Sequence, residues 1–398
     1  MFNAFEQVLL GVFGGVLLGL ISGLVPGMHI NLLGSTLLSA SIFLPSYSML
    51  ISSLIFSAAA SQLFSSFIPS IFLGAPSSEN FLSALPGHKL LLKGFGMRAL
   101  FISVVAALLG MLCSFLLLPV FIFLAPHLYR IILPAIPYSL IIVSLSMFLK
   151  EETLKKRVWA VVCFLLSGAA GIVALNSQMR NPLTPMLSGL FGAGMLMFSI
   201  FSTSRIPNQH SENFRISASS LKNLPFSVLS GGLVCLFPAM GPAQAAAISS
   251  ELSKAEGEDY LVLSGGISSA NLLLSLGTAL SIGKARNGGT ALAVSFGISE
   301  RVVAVLALCA LVSAALSAFI VMLISPLFLS LIQKFNYGLI AAFSLASIFL
   351  ICFISSGFVG VVLFLVCSSI GLLANLLGLN RSCLMGCLTI PIIFNYFT

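Results

Sequence analysis

Apolar residues run along this chain in long blocks, and polar positions gather in short clusters between them. From Glu6 to Glu79 no side chain is formally charged. That leaves room for about three membrane crossings at ~20 residues each, or two and a re-entrant hairpin, with a turn at Pro45-Ser46-Tyr47. Further uncharged blocks follow at 99–126, 131–149, 158–179, 182–203, 261–282, 302–333 and 335–380. Their lengths predict an all-α, polytopic membrane protein with about 10–12 transmembrane helices.

Two blocks are interrupted at their centres. Residues 19–34 read GLISGLVPGMHINLLG, and residues 231–248 read GGLVCLFPAMGPAQAAAI. Proline lacks a backbone N–H and glycine tolerates unusual dihedrals, so each helix is expected to break there and free backbone groups that lipid cannot satisfy. Such breaks are tolerated where they line a cavity, and a corresponding pair of them points to a transport site near the bilayer midplane. The spacing supports a duplication. Pro26 precedes Gly74 by 48 positions and Pro238 precedes Gly283 by 45, with Gln62 and Asn271 at matching places before the two glycines. The sequence therefore divides into a first membrane repeat at 1–203, a polar linker at 204–223 and a second repeat at 224–398, each with a discontinuous or re-entrant helix. Whether the repeats run parallel or inverted stays open.

Composition agrees with the pattern: 59% of residues are hydrophobic, 7% are charged, and the mean hydropathy is +1.14. The net charge of +8 does not indicate nucleic acid. The basic residues lie in short loops, around Lys89, Lys93 and Arg98, in KEETLKKR at 150–157, and in the linker, where they set orientation. Those loops are expected on the cytoplasmic side of the plasma membrane. Arg381, alone between long uncharged runs, is expected at the interface with its head in water. The eight cysteines have no ligand-type neighbours and read as small buried hydrophobes, with no metal site expected. The N-terminus, MFNAFEQVLLGVFGG, reads as a retained first helix. There is no H-E-x-x-H, Walker A loop, CxxC pair or nucleophile beside a histidine, so an enzyme is not expected.

The candidate substrate-binding residues cluster at the breaks. Pro26, Gly27, Pro238 and Gly241 mark the broken backbone, with Gln244 just beyond the second break. His29 and Asn31 follow the first, where the positive end of a half-helix favours an anion. Gln62 and Asn271 are cavity candidates by their equivalence across the repeat. Ser77 and Ser78, flanked by Gly74 and Pro76, could present hydroxyls and backbone N–H groups as a nest. Lys284 and Arg286, within GKARNGG, bring positive charge. No buried carboxylate that would favour a cation is apparent, so the substrate is expected to be anionic.

The order of a broken P-G hairpin, an apolar helix and SIFLGAPSSENFLSALPGHKLLLKGFGMRAL resembles the large permease subunit of tripartite tricarboxylate transporters, the TctA-like family. The second half resembles it in FPAMGPAQAAAISSEL, GGISSANLLLSLG and SIGKARNGG. The resemblance implies a permease for carboxylate solutes driven by an ion gradient, with H+ or Na+ as coupling ion and no other cofactor. It also implies a small membrane subunit and a binding protein as partners, besides membrane lipids. A homo-oligomer stays open. More distantly, the architecture resembles polyprenyl-phosphate translocases with paired Pro-Gly hairpins. That leaves open a second reading, a flippase that binds the phosphate head of a lipid carrier.

Overall fold

The computed structural model of the protein describes residues 3–397 except 26–27, 29, 42–44, 75–83, 150, 180–181, 195, 198–206, 211–215, 239 and 335–336. Among the described residues there is no strand, and seven helical stretches are long and apolar enough to cross a membrane. The chain is an all-α, multi-pass membrane protein. The turn expected at Pro45–Tyr47 is a single 3-10 turn.

The first half forms α1 (Ala4–Leu24), α2 (Ile30–Ala40), α3 (Ser48–Ser65), α4 (Phe67–Phe72), α5 (Ala84–Leu92) and α6 (Gly96–Ile132). It continues through α7 (Ile136–Leu149), α8 (Leu154–Leu175) and α9 (Leu183–Leu187), the last prolonged by a π turn at Ser188–Ala193. The second half forms α10 (Ala218–Leu221), α11 (Leu224–Val234), α12 (Pro242–Ser253), α13 (Glu258–Ile282), α14 (Gly288–Ala293) and α15 (Glu300–Lys334). It ends with α16 (Tyr337–Leu376), a 3-10 turn at Arg381–Met385 and α17 (Gly386–Phe397). By contacts the chain divides into two units. One gathers α1 to α6 with α10 to α15, and the other gathers α7 to α9 with α16 and α17. Each unit thus takes one run from either side of the polar linker, so the packing units interleave the two halves of the sequence.

In the first unit, α1 packs along α3 through size, not polarity. Gly11, Gly15, Gly19 and Gly23 recur every fourth residue and face Ser53, Ser57, Ser61 and Ser65, which recur with the same period. A Cβ on Gly15 would stand 2.6 Å from the Leu54 carbonyl and from the Ser57 Cβ. The closeness lets hydroxyls bridge the helices: Ser61 donates to the Val16 carbonyl at 2.9 Å and Ser65 to the Gly19 carbonyl at 3.0 Å. The opposite stripe of α1, Phe5, Leu9, Phe13, Leu17 and Ile21, is exposed. Lipid is as apolar as leucine, so a helix interface in a membrane is made by small residues and hydrogen bonds.

α13 is the most buried of the candidate spans, and α3 with α4 follows it. Its small residues explain this. Gly265 sits on the backbone of α6 at Ser103, Gly266 on Ser227 of α11, and Gly277 on Leu118 and Phe121 of α6. At the α6 end, Arg98 pairs with Glu258 at 2.8 Å. The linker closes onto the same corner: His210 N–H donates to the Gly94 carbonyl at 2.9 Å, and Gln209 accepts from Gly96 N at 2.8 Å. Within the second unit α8 crosses α17 through Gly168, Gly171 and Gly386. There, too, α16 is interrupted at Gly357 (φ 65°), beside a cavity of about 470 Å³ lined by Ser177, Gln178, Ser355 and Ser356.

Gly74 ends the α3–α4 run with φ +60°, and the His88 ring lies against its Cα. His88 Nδ1–H donates to the Ile71 carbonyl at 2.9 Å. Burial lowers the His88 pKa from its ordinary 6.5, opposed in part by that hydrogen bond. The folded chain therefore holds fewer protons here than the unfolded chain between the lowered value and 6.5. This contribution to stability is present above 6.5 and is lost as the pH falls through that window. The melting temperature should drop from pH 7.5 to pH 5.5, and less so in His88→Asn. Equal drops in both proteins, read by differential scanning fluorimetry, would sink the assignment.

Candidate functional site

The first break separates α1 from α2. Pro26, Gly27 and His29 lie outside the described residues, as do Ser77 and Ser78, and of this break Val25 and Met28 are described. The Gln62 side chain, on α3, reaches it: Nε2 donates to the Met28 carbonyl at 2.7 Å. That hydrogen bond satisfies one acceptor which a broken helix leaves over.

The second break separates α11 from α12, with half-buried Pro238 inside it. Gly241 is the N-cap of α12, and its N–H donates to the Gln244 carboxamide at 2.7 Å. Gln244 is therefore occupied as a buried cap. From α13, Asn271 reaches this break. Its Nδ2 donates to Cys235 Sγ at 3.5 Å, and Cys235 donates to the Asn271 carbonyl at 3.4 Å. Gln62 and Asn271 each stand twelve residues before a glycine in the left-handed region, Gly74 (φ +60°) and Gly283 (φ +67°). Each amide hydrogen-bonds to the break of its own half.

The segment from Lys284 to Gly289 joins these parts. Ser275 Oγ accepts from the backbone N–H groups of both Arg286 and Asn287 at 3.0 Å, folding the segment back along α13. Asn287 caps α14 through Gly289 N at 2.9 Å and donates from Nδ2 to Asn271 Oδ1 at 3.2 Å. Gly288 then lies directly on the Asn31 side chain, and Gly289 on Ala59 of α3. A side chain at either glycine would push α14 away from α2 and α3. Asn31 from the first half thus meets Gly288 of the second, next in the chain to Asn287 and its partner Asn271, all within one unit.

Lys284 and Arg286 part company. Lys284 Nζ donates to the Tyr129 hydroxyl at 2.7 Å and lies 5.0 Å from the centre of that ring, in an exposed position. Arg286 is turned inward, its charge acting on the buried Cys235 thiol. Its Nε is buried and has no hydrogen-bond partner among the described residues. A guanidinium whose donors are not all used by the protein is poised for a carboxylate or phosphate, which it can grip by two parallel bonds.

Sequence reasoning did not single out Ser275, Tyr129 or Cys235 for this site. Asn287 carried a readable signal, an N-cap residue directly before a Gly-Gly-Thr helix start. Ser275 carried none, because its role depends on the chain returning to α13 after Gly283. No group of His, Cys, Asp or Glu suited to a metal occurs among the described residues.

No solved structure matches the chain. An uncharacterized protein of Methanocaldococcus jannaschii, MJ1079, is 29% identical over 344 residues, covering 83% of this chain and 84% of that protein. The tripartite tricarboxylate transporter TctA family matches residues 9–386. Matched over nearly its whole length and built of the apolar helices such a permease requires, this chain belongs to the tripartite tricarboxylate transporter TctA family.

Proposed function

We propose that the chain is a permease that carries an anionic carboxylate through a site formed by Asn31, Asn271, Arg286 and Asn287. Its family is one of transporter components and not of enzymes, which accords with the lack of catalytic motifs. The single observation that carries the anion reading is Arg286, turned inward with a buried Nε that has no hydrogen-bond partner among the described residues. The two amides pinned to the two breaks support a cavity between discontinuous helices, and the free ends of α2 and α12 would add favourable dipoles. Lys284, spent on Tyr129, holds the segment and leaves the substrate to Arg286. The division of the packing units, each with one run from either half, is what a duplicated permease would produce. Rocking or sliding of one repeat against the other, coupled to H+ or Na+, would expose the site to each side in turn. The family implies a binding protein and a small membrane subunit as partners, and the basic loops favour a plasma-membrane orientation with those loops cytoplasmic.

The experiment uses the purified chain in nanodiscs and measures thermal stability with citrate, succinate, a neutral amide analogue of citrate, and a polyprenyl phosphate. Citrate or succinate is expected to raise the melting temperature of the wild type and not that of Arg286→Gln. Equal stabilisation by the neutral analogue would overturn the anion reading. A response to the polyprenyl phosphate alone would replace solute transport by lipid-carrier translocation.

A further inference from the structure

A second guanidinium stands apart from the transport site, in the unit built from α7 to α9, α16 and α17. Arg381 opens the 3-10 turn after α16, five residues past the end of the apolar span Ala341–Leu376. A lone arginine at the end of such a span is expected to stretch into water. Here it is 8% exposed. Its Nε donates to Asn375 Oδ1 at 3.3 Å, its Nη1 is buried with no hydrogen-bond partner, and it makes no ion pair among the described residues.

The acid packed beside this turn does not answer the charge. Glu151 is buried beside the turn, but its Oε1 accepts the Asn380 N–H at 2.8 Å, an N-terminal cap and no partner for the guanidinium. Glu151 belongs to the loop that opens α8, where Arg157 Nε donates to the Glu151 carbonyl at 3.0 Å and Lys156 pairs with Glu152. Counting Lys155, Lys156, Arg157 and Arg381 against Glu151 and Glu152, the corner carries two positive charges in excess among the described residues. Leu376, Gly378 and Asn380 around it are exposed. Burial pushes the Arg381 guanidinium down from 12.5 to about 10, still fully charged at neutral pH.

A buried guanidinium without counter-charge is costly and is normally retained only with an acidic partner. We propose that Arg381 anchors an oxyanion, and that its source is the phosphate of an anionic lipid headgroup. The depth favours lipid over solute: the residue lies just beyond a span, where the headgroup layer begins, and the basic start of α8 offers further charge at the same level. The guanidinium fork takes two phosphate oxygens, and Arg157 and Lys155 steer the headgroup from outside. Bound lipid would then hold the α16–α17 turn to the start of α8.

The test compares melting temperatures of the detergent-purified chain with added phosphatidylglycerol, phosphatidylcholine, inorganic phosphate or citrate. Phosphatidylglycerol is expected to raise the wild-type value by several degrees and phosphatidylcholine to do much less. Arg381→Gln should remove most of that difference. Should that variant fail to fold, Arg381→Lys, which keeps the charge without the fork, should show a reduced response to phosphatidylglycerol. Equal responses in wild type and variant overturn the site. A shift with inorganic phosphate or citrate as large as with phosphatidylglycerol, and likewise lost in Arg381→Gln, overturns the lipid source. Because Arg286 is untouched, citrate transport can fail or succeed without affecting this outcome.

Discussion

Gly15→Val is expected to be the most disruptive single substitution in the first unit, costing at least about 3 kcal/mol and lowering the melting temperature on the order of 5–10 °C. At this position α1 and α3 are so close that a Cβ would meet both backbone and side chain, 2.6 Å from the Leu54 carbonyl and the Ser57 Cβ. Neither can retreat, since the serine stripe of α3 is buried on its other faces. Separating the helices would also break the Ser61 and Ser65 hydrogen bonds to α1, and with them the link from Ser317 of α15 to Ser61 at 2.8 Å. The control is one residue away. Among the described residues, a Cβ on Gly14 would have only Leu54 Cδ1 within 4 Å, at 3.5 Å, so Gly14→Val should change the melting temperature by little. Similar losses in the two variants, measured by scanning fluorimetry in the same detergent, would show that the glycine stripe is not the interface that matters.

The second large effect is on transport. Arg286→Gln should reduce carboxylate uptake into proteoliposomes by roughly 10- to 100-fold, as expected when ~1.5–3 kcal/mol of charged hydrogen bonding is removed. Lys284→Gln should stay within about twofold of wild type, because its partner is Tyr129 and the loss is that of an exposed contact. Arg286→Lys should fall between them, keeping the field and losing the two-pronged grip. Ser275→Ala leaves every charge in place but frees the two backbone N–H groups that set the Arg286 turn. It should therefore weaken uptake while leaving anion selectivity intact. Wild-type uptake in Arg286→Gln would remove the residue from the substrate path.

The sequence by itself was enough to determine that this is an all-α membrane protein. Burying a charge in hydrocarbon is so costly that long uncharged blocks mark where the chain crosses, although not the bounds or number of the spans: the blocks 99–126 and 131–149 fall in one helical stretch, Gly96–Leu149. The helix breaks were legible for a similar reason: Pro238 and Gly241 cannot continue an ordinary helix, and their backbone needs partners that lipid does not supply. What failed to show was which faces meet. Soluble helices announce their buried side by polarity, but α1 is apolar all round, and its interior is distinguished only by glycine at every fourth position. That stripe becomes meaningful only against the serines of α3. Likewise Lys284 and Arg286 looked alike in GKARNGG, two cations after a helix. Only the fold, by bringing Ser275 under the segment and Tyr129 beside it, turns one outward and the other inward. Arg381 shows the same limit most sharply. Its place at the end of a span was legible, but its burial depends on Asn375, Glu151 and the turn around Asn380, groups that come together only through tertiary packing.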